Sequence, residues 1–289
     1  MLRNNIIDNN QLFVISDLHI GDSSKKDSFS KSEKDGLLDS FLDFVEKEDG
    51  SLLILGDLLE LWLYKPDSVL SGRKDLLDRL NEMPVTFVAG NHDNLVLNLD
   101  KSSIHPFFNK TSAPFIKTIG GRRFKFMHGH EFDPFMTETI RKCGQKLGYR
   151  PPASMPDESS HILKSGWPYD LFLEFVELIF KILRSITKNT TAVMRKACAL
   201  PYTPISLLIR ALRDNKIIER HFYDKSSNLY DIVVAGHTHR PAILDNWYLN
   251  TGSWIGPASD FLVINPDGRS QILAWTPSGP KLNHRLITT

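Results

Sequence analysis

Apolar residues recur along the chain in short blocks, each closed by polar residues of a similar kind. Gln11–Ile15, Ser51–Leu55, Val85–Ala89, Arg122–Met127 and Asp231–Ala235 are short and rich in Val, Ile, Leu and Phe, and each block predicts a strand. Gly21–Ser32 is rich in Ser, Lys and Asp and reads as a loop. After it, Glu33–Glu48 places Leu37, Leu38, Phe41, Leu42, Phe44 and Val45 at helical spacing. A second helix is predicted from about Val69 to Asn81, with its stop at Met83-Pro84. Strands and helices alternating through short links imply right-handed βαβ units, which put successive strand ends side by side. Beyond the fifth strand, Trp247–Ser253, Asp260–Asn265 and Gln271–Trp275 alternate with Gly, Pro and Asp turns. They predict a β meander that completes a second sheet. The fold class is α/β.

The segment at about 134–228 breaks this rhythm and reads as a helical cap or lid inserted into one domain spanning 1–289. Its stretch Tyr169–Thr187 is apolar except for a stripe of Asp170, Glu174, Glu177, Lys181 and Arg184 at spacings of three and four. Such a helix requires cover on most sides. Core of a cap, a dimer interface, a groove for acyl chains and a helix lying on the inner membrane surface all remain open for it.

The closing residues of the strands carry the candidate chemistry. The first ends in Asp17-Leu18-His19, where an extended chain would point both side chains the same way, and the second ends in Gly56-Asp57. The third ends in Gly90-Asn91-His92-Asp93, the fourth in His128-Gly129-His130 and the fifth in Gly236-His237-Thr238-His239. Carboxylates mixed with imidazoles suit borderline divalent metals. Ligands sit at the carboxyl ends of strands in open α/β sheets, so these residues are expected to meet at a metal site.

The ordered set Asp17-x-His19, Gly56-Asp57, Gly90-Asn91-His92-Asp93, His128 and Gly236-His237-x-His239 resembles that of the calcineurin-like metallophosphoesterases. The resemblance implies a four-layer αββα sandwich of two mixed sheets and two divalent metal ions. Manganese is the first expectation, and iron and zinc suit the same ligands. It further implies that Asp17, His19 and His239 hold one ion, that Asn91, His128 and His237 hold the other, and that Asp57 bridges them. His92 would be the acid beside the leaving group, steadied by Asp93. A bridging anion offsets the repulsion of two close cations, and the pair would make hydroxide from water at neutral pH for in-line attack on phosphorus. A protonated imidazole then neutralises the departing oxygen.

Gly56-Asp57-Leu58-Leu59-Glu60-Leu61-Trp62 together with Gly90-Asn91-x-Asp93 is similar to the UDP-2,3-diacylglucosamine hydrolases of lipid A synthesis. Those enzymes cleave a pyrophosphate to give a lipid sugar phosphate and UMP. The chain departs from them at His92, where many have Arg, and at His130, where His-Gly-Asp is common. A phosphodiesterase or phosphatase acting on another substrate is the alternative, and a non-catalytic metal-binding scaffold is a further one.

Composition narrows the partners. With 289 residues, 41% of them hydrophobic, the chain can bury a sizeable core, and its net charge of +1 gives nucleic acid no bulk attraction. Between Glu138 and Lys225, however, there are fifteen Lys and Arg against nine Asp and Glu, which favours an anionic, phosphorylated ligand, and the wide apolar face of Tyr169–Thr187 favours one that is lipid-linked. His130, Glu131 and Arg141, close after His128, are the candidate substrate contacts. Two isolated cysteines, and no apolar run of signal-peptide or membrane-spanning kind, make the expected location cytoplasmic, with room for peripheral membrane contact.

Overall fold

Strands β1 (Leu12–Ile15), β2 (Ser51–Leu55) and β3 (Val85–Val88) lie parallel at the heart of the computed structural model. The model describes residues 11–24, 27–61, 64–98, 104–130, 229–244 and 247–288. The strands are apolar on both faces because both faces are covered. Phe13, Ile15, Leu52, Ile54 and Phe87 point into one core, while Leu12, Val14, Leu53, Leu55 and Val88 point into a second. Period-two alternation thus divides each apolar run between two cores, and each large side chain fully buried there contributes about 1.5–3 kcal/mol.

Helices line the first core. α1 (Ser28–Lys31) is a single turn, and α2 (Lys34–Lys47) buries Leu38, Phe41, Leu42 and Val45, one face at helical spacing. Phe41 meets the rings of Phe13, Phe261, Trp254 and Trp275, with centroids 5.2–6.5 Å apart. The helix expected from about Val69 to Asn81 is two helices, α3 (Pro66–Gly72) and α4 (Lys74–Glu82). They break at Arg73, whose side chain turns inward to bond Asp27, Asp35 and Ser30, and donates to the Gly21 carbonyl at 2.9 Å. The loop that leaves the first strand end is thereby clamped to the helical layer.

The remaining strands are β4 (Thr111–Ser112), β5 (Phe115–Ile119), β6 (Arg122–Phe126), β7 (Ile232–Ala235), β8 (Ala242–Leu244), β9 (Tyr248–Asn250), β10 (Asp260–Ile264), β11 (Ser270–Thr276), β12 (Gly279–Leu282) and β13 (Ile287–Thr288). They form two mixed sheets, ordered β12-β11-β10-β1-β2-β3-β4 and β13-β8-β9-β7-β6-β5. The second core, with Phe124, Phe126, Ile232, Val234 and Leu249 from one sheet and Leu262 and Ile264 from the other, lies between them. The meander therefore does not complete one sheet. β9 joins the second, while β10 and β11 extend the first beside β1. The reason is legible in β10: Phe261 and Val263 face the helical core and Leu262 and Ile264 face the other sheet, so it fits only where both faces are covered. β5 and β6 form a hairpin whose two-residue turn, Gly120-Gly121, has φ of 56° and 77°. Those left-handed angles match the twist of a tight hairpin.

These strands and helices give the α/β class expected, with helices, first sheet and second sheet as described layers. The insertion at about 134–228, with Arg141 and Tyr169–Thr187, and the candidates Glu131 and Trp62 lie outside the described residues. Among the described residues no helix is long and apolar enough to cross a membrane.

Candidate metal centre

The carboxyl ends of β1, β2, β3, β6 and β7 converge. Past β1 and β2 the chain keeps pairing: the Leu18 and His19 amides donate to the Asp57 carbonyl at 2.9 and 3.0 Å, and the Ile20 amide donates to the Leu58 carbonyl at 2.9 Å. Leu18 and Ile20 fill the core, and Asp17 and His19 turn to the site. This pair is not extended. Asp17 and His19 have φ of 56° and 51°, and Asp57, His237 and His239 likewise lie at 53°, 67° and 57°. Non-glycine residues in this region cost about 1–3 kcal/mol each, a strain that clusters at functional sites.

Donor atoms gather in three groups, each within 4.8 Å: Asp17, His19 and His239; His19, Asp57 and His92; Asp57, His128 and His237. One oxygen serves two of them. Asp57 Oδ2 lies 3.6 Å from His19 Nε2 and 3.2 Å from His128 Nε2. Asn91 Oδ1 lies 3.2 Å from His128 Nε2 and so faces the same space. The close approach requires Gly90, because a Cβ there would sit 2.2 Å from Asp57 Oδ1.

The donor set fits a cation. His19 Nε2 and His239 Nε2 stand 3.3 Å apart, both aimed inward. Asp17 Oδ1 is buried with no partner of hydrogen-bond geometry, although His239 Nε2 is 3.1 Å away. Nitrogens and carboxylate oxygens converging in this way leave a space that a positive ion satisfies. The nitrogens are aimed from behind: His128 Nδ1 donates to the Leu55 carbonyl at 2.8 Å, and His19 Nδ1 to Glu60 Oε2 at 3.0 Å. Each ring is left to present Nε2, the arrangement typical of metal-ligating histidine. Asp17 Oδ2 accepts from the Ser16 hydroxyl and from the His237 amide at 2.9 Å, and Thr251 backs Ser16 at 2.6 Å. The His237–His239 loop is shaped by Asn250, whose amide nitrogen donates to the Gly236 carbonyl at 2.7 Å.

Charge follows the same geometry. Burial alone would raise the Asp57 carboxyl, but the neighbouring His128, His19 and His92 hold it well below the ordinary carboxylate range. Burial opposes charge on His128, yet Asp57 beside it pushes the imidazole up to about 10. Glu60 is held at about 2, its burial outweighed by bonds to His19 and His92.

His92 has a hydrogen-bonded partner beyond the candidates: its Nδ1 lies 2.8 Å from Glu60 Oε1. The Asp93 carboxylate is spent on backbone, accepting from the Gly90 amide at 2.7 Å and the Leu58 amide at 2.6 Å, so it ties the exits of β2 and β3 together. Burial and the nearby Asp57 push Asp93 up to about 7. Burial would lower His92, but Glu60, Asp57 and, least, Asp93 keep it above its usual range. His130 is buried, its ring centroid 5.4 Å from that of His128 and 6.4 Å from that of His237. Glu60, Ser16, Thr251 and Asn250 were not among the candidates. Glu60 alone had a signal: an acid among the buried Leu58, Leu59 and Leu61 needs a partner.

Two mixed sheets carrying clustered histidines and aspartates at their strand ends define a metallophosphoesterase architecture. The chain belongs to the calcineurin-like phosphoesterases, whose family model matches residues 11–241. Membership makes it a hydrolase of phosphoesters that depends on divalent metal. A search of curated proteins found no match. Among solved structures it is similar to a conserved uncharacterised protein, a predicted phosphoesterase, from Streptococcus pneumoniae TIGR4. The two share 14% identity over 96% of this chain and 94% of that chain, with a TM-score of 0.37.

Proposed function

We propose that this chain is a dinuclear hydrolase of a phosphoester or pyrophosphate, with a nucleotide-linked lipid such as UDP-2,3-diacylglucosamine as favoured substrate. The observation that carries the two-ion reading is Asp57 Oδ2, set 3.6 Å from His19 Nε2 and 3.2 Å from His128 Nε2. On this reading Asp17, His19 and His239 hold one ion, Asn91, His128 and His237 the other, and Asp57 both. Divalent ions bound there would supply an activated water and offset charge on the phosphate oxygens. His92, aimed by Glu60 and with its imidazolium favoured by that carboxylate, gives its proton to the leaving oxygen. Asp93 holds the Gly90 turn in place. His130, Glu131 and Arg141 contact the substrate.

Manganese is the favoured metal. The motif Gly56–Trp62, the apolar stretch Tyr169–Thr187 and the basic surplus of the insertion support a lipid-linked, anionic substrate, peripheral contact with the inner membrane surface and pairing of two copies through the insertion. His92, standing where many of the lipid A enzymes have Arg, favours as second reading a phosphodiesterase of broader substrate choice. Elemental analysis should find two ions per chain, and manganese-loaded protein should hydrolyse bis(p-nitrophenyl) phosphate. No metal, or no hydrolysis, refutes the proposal. Release of UMP from UDP-2,3-diacylglucosamine selects the first reading, and its absence beside diester hydrolysis selects the second.

A further inference from the structure

Five strand ends bring candidate ligands to the centre, and the end of β9 brings none. β9 lies beside β7 with Asn250 opposite Ala235, so the next residue, Thr251, stands at the exit of β7. There its amide donates to the Ala235 carbonyl at 2.9 Å. The Thr251 hydroxyl lies 2.6 Å from that of Ser16, which in turn donates to Asp17 Oδ2. Ser16, Asp17 and Thr251 are all at most 1% exposed, so every hydroxyl proton among them has to be placed on a protein group. The backbone of Asp17 is already held, its amide by the Gly56 carbonyl at 3.1 Å and its carbonyl by the Trp254 amide at 3.0 Å. Only the turn of its carboxylate is left to fix.

We propose that Thr251 and Ser16 are positioning residues, a one-way hydroxyl relay that occupies Asp17 Oδ2 and leaves Oδ1 as the oxygen offered to the ion shared with His19 and His239. The inference rests on the two-ion reading of the site. Its direction follows from the count of protons. A carboxylate only accepts, so the single proton of Ser16 goes to Asp17, and the contact between the two hydroxyls must then be donated by Thr251. The other acceptor near Thr251 is the Ala235 carbonyl, which is 3.3 Å from the hydroxyl and already served by the Thr251 amide. Asp17 Oδ2 also accepts from the His237 amide at 2.9 Å, so both of its lone pairs are taken. Oδ1 has no partner of hydrogen-bond geometry among the described residues and lies 3.1 Å from His239 Nε2 and 4.0 Å from His19 Nε2. A strand end without a ligand thus aims a ligand on another.

The test has two arms. Neutron diffraction from crystals of the perdeuterated, manganese-loaded protein should show the Ser16 deuteron on Asp17 Oδ2, the Thr251 deuteron on Ser16 and an ion against Oδ1. A Ser16 deuteron turned to Thr251, or the ion against Oδ2, overturns the proposal. Titration calorimetry with manganese supplies the second arm. Ser16→Ala should weaken one of two ions by about 10- to 100-fold, the scale on which partners behind a ligand act, and leave the other within about twofold. Thr251→Val, nearly the same shape without the hydroxyl, should weaken the same ion about fivefold, and Thr251→Ser, which keeps the hydroxyl, should bind it as the wild type does. In a Ser16→Ala background Thr251→Val should weaken the ion no further, because its effect runs through Ser16. Full loss from Thr251→Val in that background, equal weakening of both ions by Ser16→Ala, or unchanged affinity marks a merely structural role and overturns the relay. If Ser16→Ala folds poorly, the Thr251 pair still decides: equal affinity of the Val and Ser variants refutes it. A wild-type protein that takes up one ion or none fails the two-ion reading, whereas two ions with any of the contrary results fails the relay alone.

Discussion

His128 is fully buried, gives its Nδ1 proton to a strand carbonyl and faces Asp57 and Asn91, which are 1% and 3% exposed. His239, in the other half of the centre, has 38% of its side chain exposed and hangs from a loop held by Asn250 and Arg285. The inner half takes Asn91 and His128 from buried strand exits and shares only His237 with the loop of His239. The outer half adds to buried Asp17 two partly exposed rings, and its His19 is aimed by Glu60, a group that also serves His92. Rigid elements hold ligand geometry more closely than loops do. The inner ion should therefore bind tighter and exchange more slowly, and the outer half should be the one that adapts to substrate.

The largest effect is expected where the halves touch. Asp57→Ala removes the one oxygen that faces both His19 and His128 and should abolish loading at both positions, with activity down by roughly 10³-fold or more. Elemental analysis of the purified variant gives the result. A variant that kept its inner ion would show the halves to be independent and would break the comparison.

A matched pair tests the contrast itself. His128→Ala leaves the buried Asp57 carboxylate facing a cavity, and breaking a buried charged pair costs about 3–5 kcal/mol. His239→Ala removes a partly exposed ring but leaves buried Asp17 Oδ1 without its 3.1 Å neighbour, and should cost less, about 1–3 kcal/mol. Thermal melts of the chelator-treated proteins measure both, and each variant should retain one ion, a different one in each case. Equal melting losses would mean that burial does not separate the halves.

Much of this was legible in the chain and some was not, for physical reasons. The strands β1, β2, β3 and β7 declare themselves because a strand covered on both faces must be largely apolar, β6 does so by alternating Phe124 and Phe126 with basic residues, and the candidate metal ligands follow because polar residues begin where that cover ends. The single helix expected over Val69–Asn81 failed because Arg73 is recruited by Asp27 and Asp35, a long-range demand that no local pattern carries. The meander failed because sheet membership is decided by which faces are already occupied. Asp93 adds charge support to His92, as its place beside the ring implies, but the hydrogen bond to the ring comes from Glu60, thirty-two residues away, which no local pattern reveals. The left-handed backbone at five site residues leaves no trace in residue type, since Asp and His betray nothing of φ.

The smallest effect concerns what holds the outer loop. Arg285 donates to the His239 carbonyl at 2.8 Å and to Asp260 Oδ2 at 2.8 Å, linking the last described strand region to the outer half alone. Burial raises the Asp260 carboxyl, and the Arg285 charge pulls it back only in part. Arg285→Ala should raise it further. A carboxyl whose folded pKa exceeds its unfolded value binds more protons folded than unfolded, so stability falls as the pH rises through that interval and returns as it is lowered. The variant should thus lose about 1 kcal/mol at pH 7, a loss that shrinks as Asp260 takes up its proton in mild acid, read by urea melts across pH. Its outer ion should bind a few-fold more weakly and its inner ion as before, measured by calorimetry. Equal weakening of both ions would show that the loop of His239 is braced by the whole centre, and that the boundary between a rigid inner half and an adaptable outer half lies elsewhere.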